Sequence, residues 1–143
     1  MNQTSFQRHA LLIAALLLGA SSLAGAADLT IEVADVKTSD GSLMVALYNA
    51  AGDFLKAPVN SASARAAAGV TTVLIKDLPP GDYAFAIYHD ANANGKMDRN
   101  LMGIPSEDYA FSNNAIGKMG PPTFDGARFA VPAAGATARV SLK

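Results

Sequence analysis

Apolar residues alternate with polar ones at every second position in several short runs of this sequence. Leu29, Ile31 and Val33 alternate with Thr30 and Glu32. Successive side chains of a β-strand point to opposite faces, so this pattern predicts strands with one buried face. Five further runs have the same alternation, a β-branched composition or both: 43–48, 70–75, 83–89, 128–131 and 136–141.

The connections between these runs carry turn residues. The Ser-Asp-Gly at 39–41 predicts a hairpin that joins the first two strands. The stretch 49–69 has no apolar period, and we expect a loop that contains at most a short helix at 62–68. The Pro-Pro-Gly at 79–81 predicts a turn before the strand 83–89. That strand has a face of large side chains and a face with two alanines, which predicts an interior strand packed closely on its alanine side.

These elements predict an all-β fold. We expect an antiparallel β-sandwich of about seven short strands, of transthyretin-like or immunoglobulin-like type. A long irregular loop at 90–126 contains five glycines and three prolines and has no clear period. Loops of this length in compact domains usually serve a function or are held in place by something else.

The N-terminus has the three parts of a secretory signal peptide. Arg8 and His9 precede an apolar run at 10–19, and Ala-Gly-Ala at 24–26 is typical of a cleavage site. The apolar run is shorter than the ~20 residues of a membrane-spanning helix. We therefore predict a signal peptide at 1–26, cleavage before Ala27, a single domain at 27–143 without a membrane span, and a periplasmic or secreted location. An uncleaved membrane anchor is the alternative.

Composition excludes several classes of function. The chain has no cysteine, which excludes disulfides, thiol chemistry and cysteine metal sites. A formal net charge of −1 leaves no basic surface for nucleic acid. Many of the apolar residues are alanine, so the core is expected to be thin. A bound ion that holds the long loop would stabilise such a domain.

The segment after the strand 83–89 contains the pattern D-x-N-x-N-G-x-x-D. Its oxygen-bearing residues fall at positions 1, 3, 5 and 9 of an EF-hand-type loop, with glycine at position 6. Calcium takes six to eight oxygen ligands, and alternate residues of a tight loop can turn toward one centre. The predicted ligands are the side chains of Asp90, Asn92, Asn94 and Asp98 and the carbonyl of Lys96.

The match to a calcium loop is incomplete. Position 12 is Leu101 where a bidentate glutamate is expected, and a strand rather than a helix precedes the loop. Either water or a more distant carboxylate would complete the shell. Glu107 and Asp108 are the nearest carboxylates, and Glu107 is included as the sixth predicted ligand. The alternative is a polar loop in which Asn94 and Gly95 form a tight turn and the Asp and Asn side chains cap backbone amides.

His89 lies beside the first predicted ligand. It is the only histidine outside the leader, and a zinc site would need carboxylates for its other ligands. A catalytic triad would require Ser106 or Ser112 to meet His89, and no nucleophile-elbow pattern is present. We expect His89 to be structural and the protein not to be an enzyme. A hydrolase that uses His89 with a carboxylate of the long loop remains the alternative.

Three aromatic residues of the long loop, Tyr109, Phe111 and Phe124, also allow two interpretations. They either anchor the loop on the sandwich or contact a glycan or another small ligand.

Several motifs occur together along the chain. G-S-L-M-V-A-L-Y-N at 41–49 precedes D-L-P-P-G-D-Y-A at 77–84, and the calcium-like loop is followed by G-I-P-x-E at 103–107. Y-A-F-S-N-N at 109–114 and G-P-P-x-F at 120–124 complete the set. Together they resemble a bacterial secreted family, domain of unknown function 2141.

The resemblance implies a fold and no activity. It is similar in character to small transthyretin-like or collagen-adhesin B-type sandwiches, and some of those adhesin repeats carry related Asp/Asn-rich calcium loops. We therefore expect an exported, non-catalytic binding or envelope-associated module with calcium in its loop. Its partner would be a protein or glycan ligand that the sequence does not identify.

Overall fold

The computed structural model describes residues 25–143, so the charged and apolar parts of the predicted signal peptide lie outside the described residues. Eight strands make up most of the fold, together with a 3-10 turn at Ser112–Asn114 and a single helical turn, α1, at Phe124–Ala127. The strands are β1 Ala27–Val36, β2 Ser42–Tyr48, β3 Asn60–Arg65, β4 Gly69–Leu78, β5 Gly81–Asp90, β6 Tyr109–Phe111, β7 Phe129–Val131 and β8 Ala136–Ser141.

The strands form two sheets. The smaller sheet has the order β4-β1-β8, and the larger has the order β3-β2-β5-β6, with β7 paired to β5. All pairings are antiparallel except that of β1 with β8, which is parallel. The prediction of an all-β sandwich is confirmed, and its antiparallel character holds except for this pair.

The predicted hairpin between the first two strands is wrong. β1 pairs with β4 and β8, whereas β2 pairs with β3 and β5 in the other sheet. The turn at 39–41 therefore carries the chain from one sheet to the other. A local turn signal identifies a reversal of the chain, but partners far along the sequence decide which strands pair.

The stretch 49–69 contains a strand that the sequence analysis assigned to a loop. β3 pairs with β2 along its whole length, and its half-buried Ala62 and Ala64 alternate with the exposed Ser61 and Ser63. The period of two is present, but alanine is too small and too weakly apolar to signal a strand. β3 lies at the edge of its sheet.

The main core lies between the two sheets. It contains side chains from both, including Leu29, Ile31, Leu43, Leu47 and Phe85. Burial in β1 alternates along the strand, as the sequence period predicts for a strand with one face in the core. The sandwich is thus held by aliphatic side chains and a few aromatic rings.

A second apolar cluster covers the outer face of the larger sheet. Phe54 packs on Tyr48, Phe111 and Phe124 with ring centroids 5.3, 6.3 and 5.9 Å apart. Ala84 of β5 belongs to this cluster, while the large side chains of β5 face the main core. The alanine face of β5 is closely packed, as predicted, and the aromatic rings on it hold the segment that follows β5 against the sandwich.

Candidate functional site

Asp90 is the last residue of β5 and begins the candidate calcium loop. β5 lies between β2 and β6, so its end is held on both sides, and Asp90 is only 3% exposed. Its Oδ1 accepts the amide of Asn94 at 3.0 Å and its Oδ2 accepts the amide of Gly95 at 2.8 Å. The backbone turns sharply here, with φ of 57° at Ala93 and 75° at Gly95. The buried carboxylate thus fixes the first half of the loop.

Asn92, Asn94 and Asp98 meet directly. The Asn92 Nδ2 donates to Asp98 Oδ2 at 2.6 Å, and the Asn94 Nδ2 donates to Asp98 Oδ1 at 2.9 Å. The Oδ1 of each asparagine accepts a backbone amide two residues later, from Asn94 and Lys96. Hydrogen bonds of this kind within the loop belong to the polar-loop alternative.

Glu107 reaches the loop from the segment before β6. Its Oε2 accepts the backbone amide of Asp98 at 3.0 Å, which ties this segment to the second half of the loop. Its Oε1 is buried and has no hydrogen-bond partner among the described residues. A buried carboxylate oxygen without a partner is unfavourable, because water no longer solvates its charge.

Tyr88 lies near the carboxylates of the loop. Burial raises the pKa of Tyr88, and the negative charges of Asp90, Glu107 and Asp98 raise the pKa further. The Tyr88 phenol therefore experiences the negative charge of all three carboxylates. Sequence reasoning did not single out Tyr88, although its position two residues before Asp90 on a strand puts it on the same face.

The six predicted ligands are not equally close to one another. Asn92, Asn94 and Asp98 are bonded side chain to side chain, whereas Asp90 and Glu107 join the cluster through backbone amides. Lys96 joins the cluster through its backbone amide, which donates to the Asn94 Oδ1. Among residues 25–143, no three His, Cys, Asp or Glu side chains are close enough to hold a metal by themselves. Any ion here would also need amide or backbone oxygens.

Asp108, the other carboxylate considered for this site, has a different role. It forms an ion pair with Lys37 at 2.7 Å, and its carbonyl accepts the backbone amide of His89 at 2.9 Å.

His89 is buried, and its Nε2 donates to the carbonyl of Asp40 at 2.7 Å. This bond joins the end of β5 to the connection between β1 and β2. Ser112 is also buried; its Oγ accepts the Phe85 amide at 3.0 Å and donates to the Ala127 carbonyl at 2.6 Å. Both side chains are therefore engaged by backbone groups. The sequence analysis considered Ser112 only as a nucleophile and missed this structural position, because the sequence Ser-Asn-Asn is typical of an exposed turn.

The three aromatic residues that the sequence analysis placed in an irregular loop lie in short elements instead, Tyr109 and Phe111 in β6 and Phe124 in α1. They separate into two groups. Phe124 is 8% exposed and anchors α1 in the outer cluster. Tyr109 and Phe111 are half-buried and line an open groove of ≈ 660 Å³ between the segment 103–105 and the segment 114–122. Phe124 is thus an anchor, and the other two are partly accessible.

A family model described as "Uncharacterized protein conserved in bacteria (DUF2141)" matches residues 31–139. The chain belongs to the DUF2141 family. The resemblance stated from its motifs is thereby confirmed. No curated protein and no solved structure is significantly similar to this DUF2141 chain. The matched range runs from β1 into β8 and includes all six predicted ligands. In the part of the chain that the structure describes, no helix is long and apolar enough to cross a membrane.

Proposed function

We propose that this DUF2141 protein is an exported, non-catalytic β-sandwich whose loop after β5 binds calcium, and that it acts as a binding or envelope-associated module. The observation that carries the proposal is the Glu107 Oε1 atom, which is buried beside the loop without a hydrogen-bond partner among residues 25–143. A cation near this oxygen would supply the missing partner.

The charge of the site supports a cation. Asp90, Glu107 and Asp98 bring three negative charges to the neighbourhood of Tyr88, and these charges add to the effect of burial in raising the pKa of that tyrosine. A cation near these side chains would be attracted by their negative charges. Oxygen-rich, anionic and cysteine-free surroundings favour a hard cation such as calcium.

The asparagines can supply the remaining oxygens. The Oδ1 of each accepts one backbone amide and keeps a second lone pair that a cation can use. Asn92 and Asn94 would then join Asp90, Asp98 and Glu107 as ligands, with the Lys96 carbonyl and water as further oxygens. The Nδ2 groups of both asparagines meanwhile hold the Asp98 carboxylate in place.

The predicted export fits the same assignment. The predicted cleavage site precedes Ala27, the first residue of β1, so removal of the leader would leave the sandwich whole. Few charged ligands give weak calcium sites, with Kd of about 10⁻⁴–10⁻³ M in extracellular modules. A site of that affinity would be occupied outside the cytoplasm.

The non-catalytic part of the proposal is supported by His89 and Ser112. The His89 Nε2 is occupied by a backbone carbonyl, and the Ser112 hydroxyl is buried between two backbone groups. A general base and a nucleophile need access to substrate, which these contacts do not provide.

Thermal unfolding with 10 mM calcium or with chelator tests the calcium site. Calcium at 10–100 times Kd stabilises the folded state by about 1.4–2.7 kcal/mol. We expect the melting temperature to rise by roughly 5–10 °C, and chelator to reverse the rise. Asp98→Asn should abolish most of this response.

Asp125→Asn is the matched control, because its side chain is 80% exposed on α1, outside the loop. It should leave the calcium response intact. Equal melting temperatures with calcium and chelator in the unmodified protein would refute the proposal, as would an unchanged response in Asp98→Asn.

A further inference from the structure

The groove beside the calcium loop has the size of a small-molecule site. Its volume of ≈ 660 Å³ lies within the ~300–1,000 Å³ range of ligand pockets. Its floor includes Tyr109 and Phe111 of β6, and its walls come from the two irregular segments on either side. The groove shares no lining residue with the six predicted calcium ligands.

Apolar side chains form the rim of the groove, and their exposure to water is unfavourable. Ile104, Ile116 and Met119 line it, and all three are exposed, with Ile116 at 75%. Exposed aliphatic side chains scattered singly are ordinary, but three around one concave surface mark a place where apolar groups bind. Met119 is also flexible enough to adapt to different apolar shapes.

The charged residues around the groove are basic, although the chain as a whole has a slight excess of acidic residues. The chain has 12 Asp and Glu residues against 11 Lys and Arg residues. The charged residues in its lining are nevertheless both basic, Arg99 and Lys143, and no Asp or Glu of the described part lines it. Basic residues without acidic neighbours in the lining are complementary to an anionic ligand.

Arg99 is held at the rim by its own turn. Its Nη1 donates to the Gly103 carbonyl at 2.9 Å, and the backbone pairs Arg99 with Pro105. None of the ion pairs formed within residues 25–143 involves Arg99. The guanidinium keeps further N–H donors for a ligand, and its forked geometry suits a carboxylate.

We propose that the groove binds a small amphipathic carboxylate, with its apolar chain between Ile104, Ile116 and Met119 and its carboxylate at Arg99. A glycan fits less well. Sugar rings stack on open aromatic faces, whereas Tyr109 and Phe111 pack edge to face at 5.9 Å and Phe124 is buried. The proposal does not depend on calcium.

Methyl NMR of the protein with decanoate in chelator tests the groove. Decanoate is kept below the concentration at which it forms micelles. The methyl signals of Ile104, Ile116 and Met119 should shift saturably, while those of the buried Ile31 and Ile87 should not move. Decanol has the same apolar chain without the charge, and it should bind about threefold to fivefold more weakly.

Two pairs of variants separate the apolar and the ionic contributions. Ile116→Asp should weaken decanoate binding at least tenfold, and Val70→Asp, at an exposed position on β4, should not. Arg99→Gln should lower decanoate affinity to that of decanol, and Arg65→Gln on β3 should leave it unchanged.

Three results would overturn the proposal. They are the absence of a saturable shift, equal affinity for decanoate and decanol, and a shift that appears only when micelles or anionic vesicles are present. The last result would assign the apolar rim to a lipid surface instead.

Discussion

Gly41 lies so close to Asp90 that a Cβ atom built on it would come within 1.8 Å of the Asp90 carbonyl oxygen. The glycine has a φ of 63° and ends the connection that carries the chain from β1 to β2. One residue earlier, the Asp40 carbonyl accepts the His89 Nε2 bond. The position of the first predicted calcium ligand is therefore set from the opposite side by a turn some fifty residues earlier.

Gly41→Ala should destabilise the fold and the calcium loop together. The new methyl group has no room beside Asp90, and the positive φ is strained for alanine. We expect a loss of roughly 2–4 kcal/mol in urea unfolding and a weaker calcium response. Gly52→Ala is the control, because a Cβ there meets nothing within 4 Å, and its stability should stay within about 0.5 kcal/mol. Equal stability of Gly41→Ala and Gly52→Ala would contradict the close approach of Gly41 to Asp90.

Ser112→Ala should loosen the junction between β5 and α1. The substitution leaves the buried Phe85 amide and Ala127 carbonyl without the serine hydroxyl. Unsatisfied buried groups of this kind cost about 1–3 kcal/mol, measurable by urea unfolding. Ser63→Ala, on the exposed side of β3, should change stability by less than about 0.5 kcal/mol. A small effect at Ser112 would show that water replaces the hydroxyl.

Phe54→Ala should detach the outer cluster from the larger sheet. The ring contacts Tyr48, Phe111 and Phe124, so its removal opens a cavity beneath both β6 and α1. We expect a loss of about 3–5 kcal/mol and faster hydrogen exchange in 109–127. Val59→Ala, at a half-exposed apolar position in the same connection, should cost far less. Unchanged exchange in 109–127 would argue against the anchoring role of Phe54.

Glu107→Gln should act in opposite directions with and without calcium. The amide keeps the shape and an oxygen for the Asp98 amide bond but removes the charge of the buried unpartnered oxygen. In chelator the variant should be at least as stable as the unmodified protein, while its calcium-induced rise in melting temperature should be smaller. A full calcium response would remove Glu107 from the ligand set.

Alkaline pH should destabilise the protein through three buried or half-buried phenols. Burial raises the pKa values of Tyr48, Tyr83 and Tyr88 above the ordinary 10.0. Above pH 10 the unfolded chain loses phenol protons that the folded chain retains, so stability falls as the pH rises further. Well below pH 10 the three phenols are protonated in both the folded and the unfolded chain, so they do not make the stability depend on pH. Urea unfolding at pH 8–11 should show this decline in stability, and the decline should be smaller in Tyr88→Phe. An equal decline in that variant would show that other groups cause it.

Calcium should shift the titration of Tyr88. Its pKa is raised partly by Asp90, Glu107 and Asp98, and a bound cation offsets those charges. Ultraviolet titration should therefore find the Tyr88 phenol more acidic in calcium than in chelator. The difference should vanish in Tyr88→Phe. A phenol titration that is identical in both conditions would place the ion elsewhere.

The sequence predicts the strands better than it predicts their partners. β4 and β5 follow from β-branched content and alternation, since those signals are local. β3 is missed because its inward residues are alanines, and the pairing of β1 is missed because β4 and β8 are distant along the chain. Strand pairing depends on burial across the whole domain, which no short window contains.

The same division applies to the candidate site. The spacing of Asp90, Asn92, Asn94 and Asp98 predicts side chains that face a shared loop, and the direct bonds of the asparagines to Asp98 show that three of them meet. The burial of Glu107 Oε1 and the hydrogen bonds of Ser112 were not predictable, because each depends on contacts between distant segments.

The parallel pairing of β1 with β8 has a consequence for when the domain can fold. Glu32 and Arg139 are neighbours on these strands although they are 107 residues apart in sequence. The smaller sheet is therefore incomplete until almost the whole domain has emerged from the ribosome. Contacts between distant residues also form slowly. Late completion of this sheet would be compatible with the predicted export, because a chain must be unfolded to pass through a narrow translocation channel.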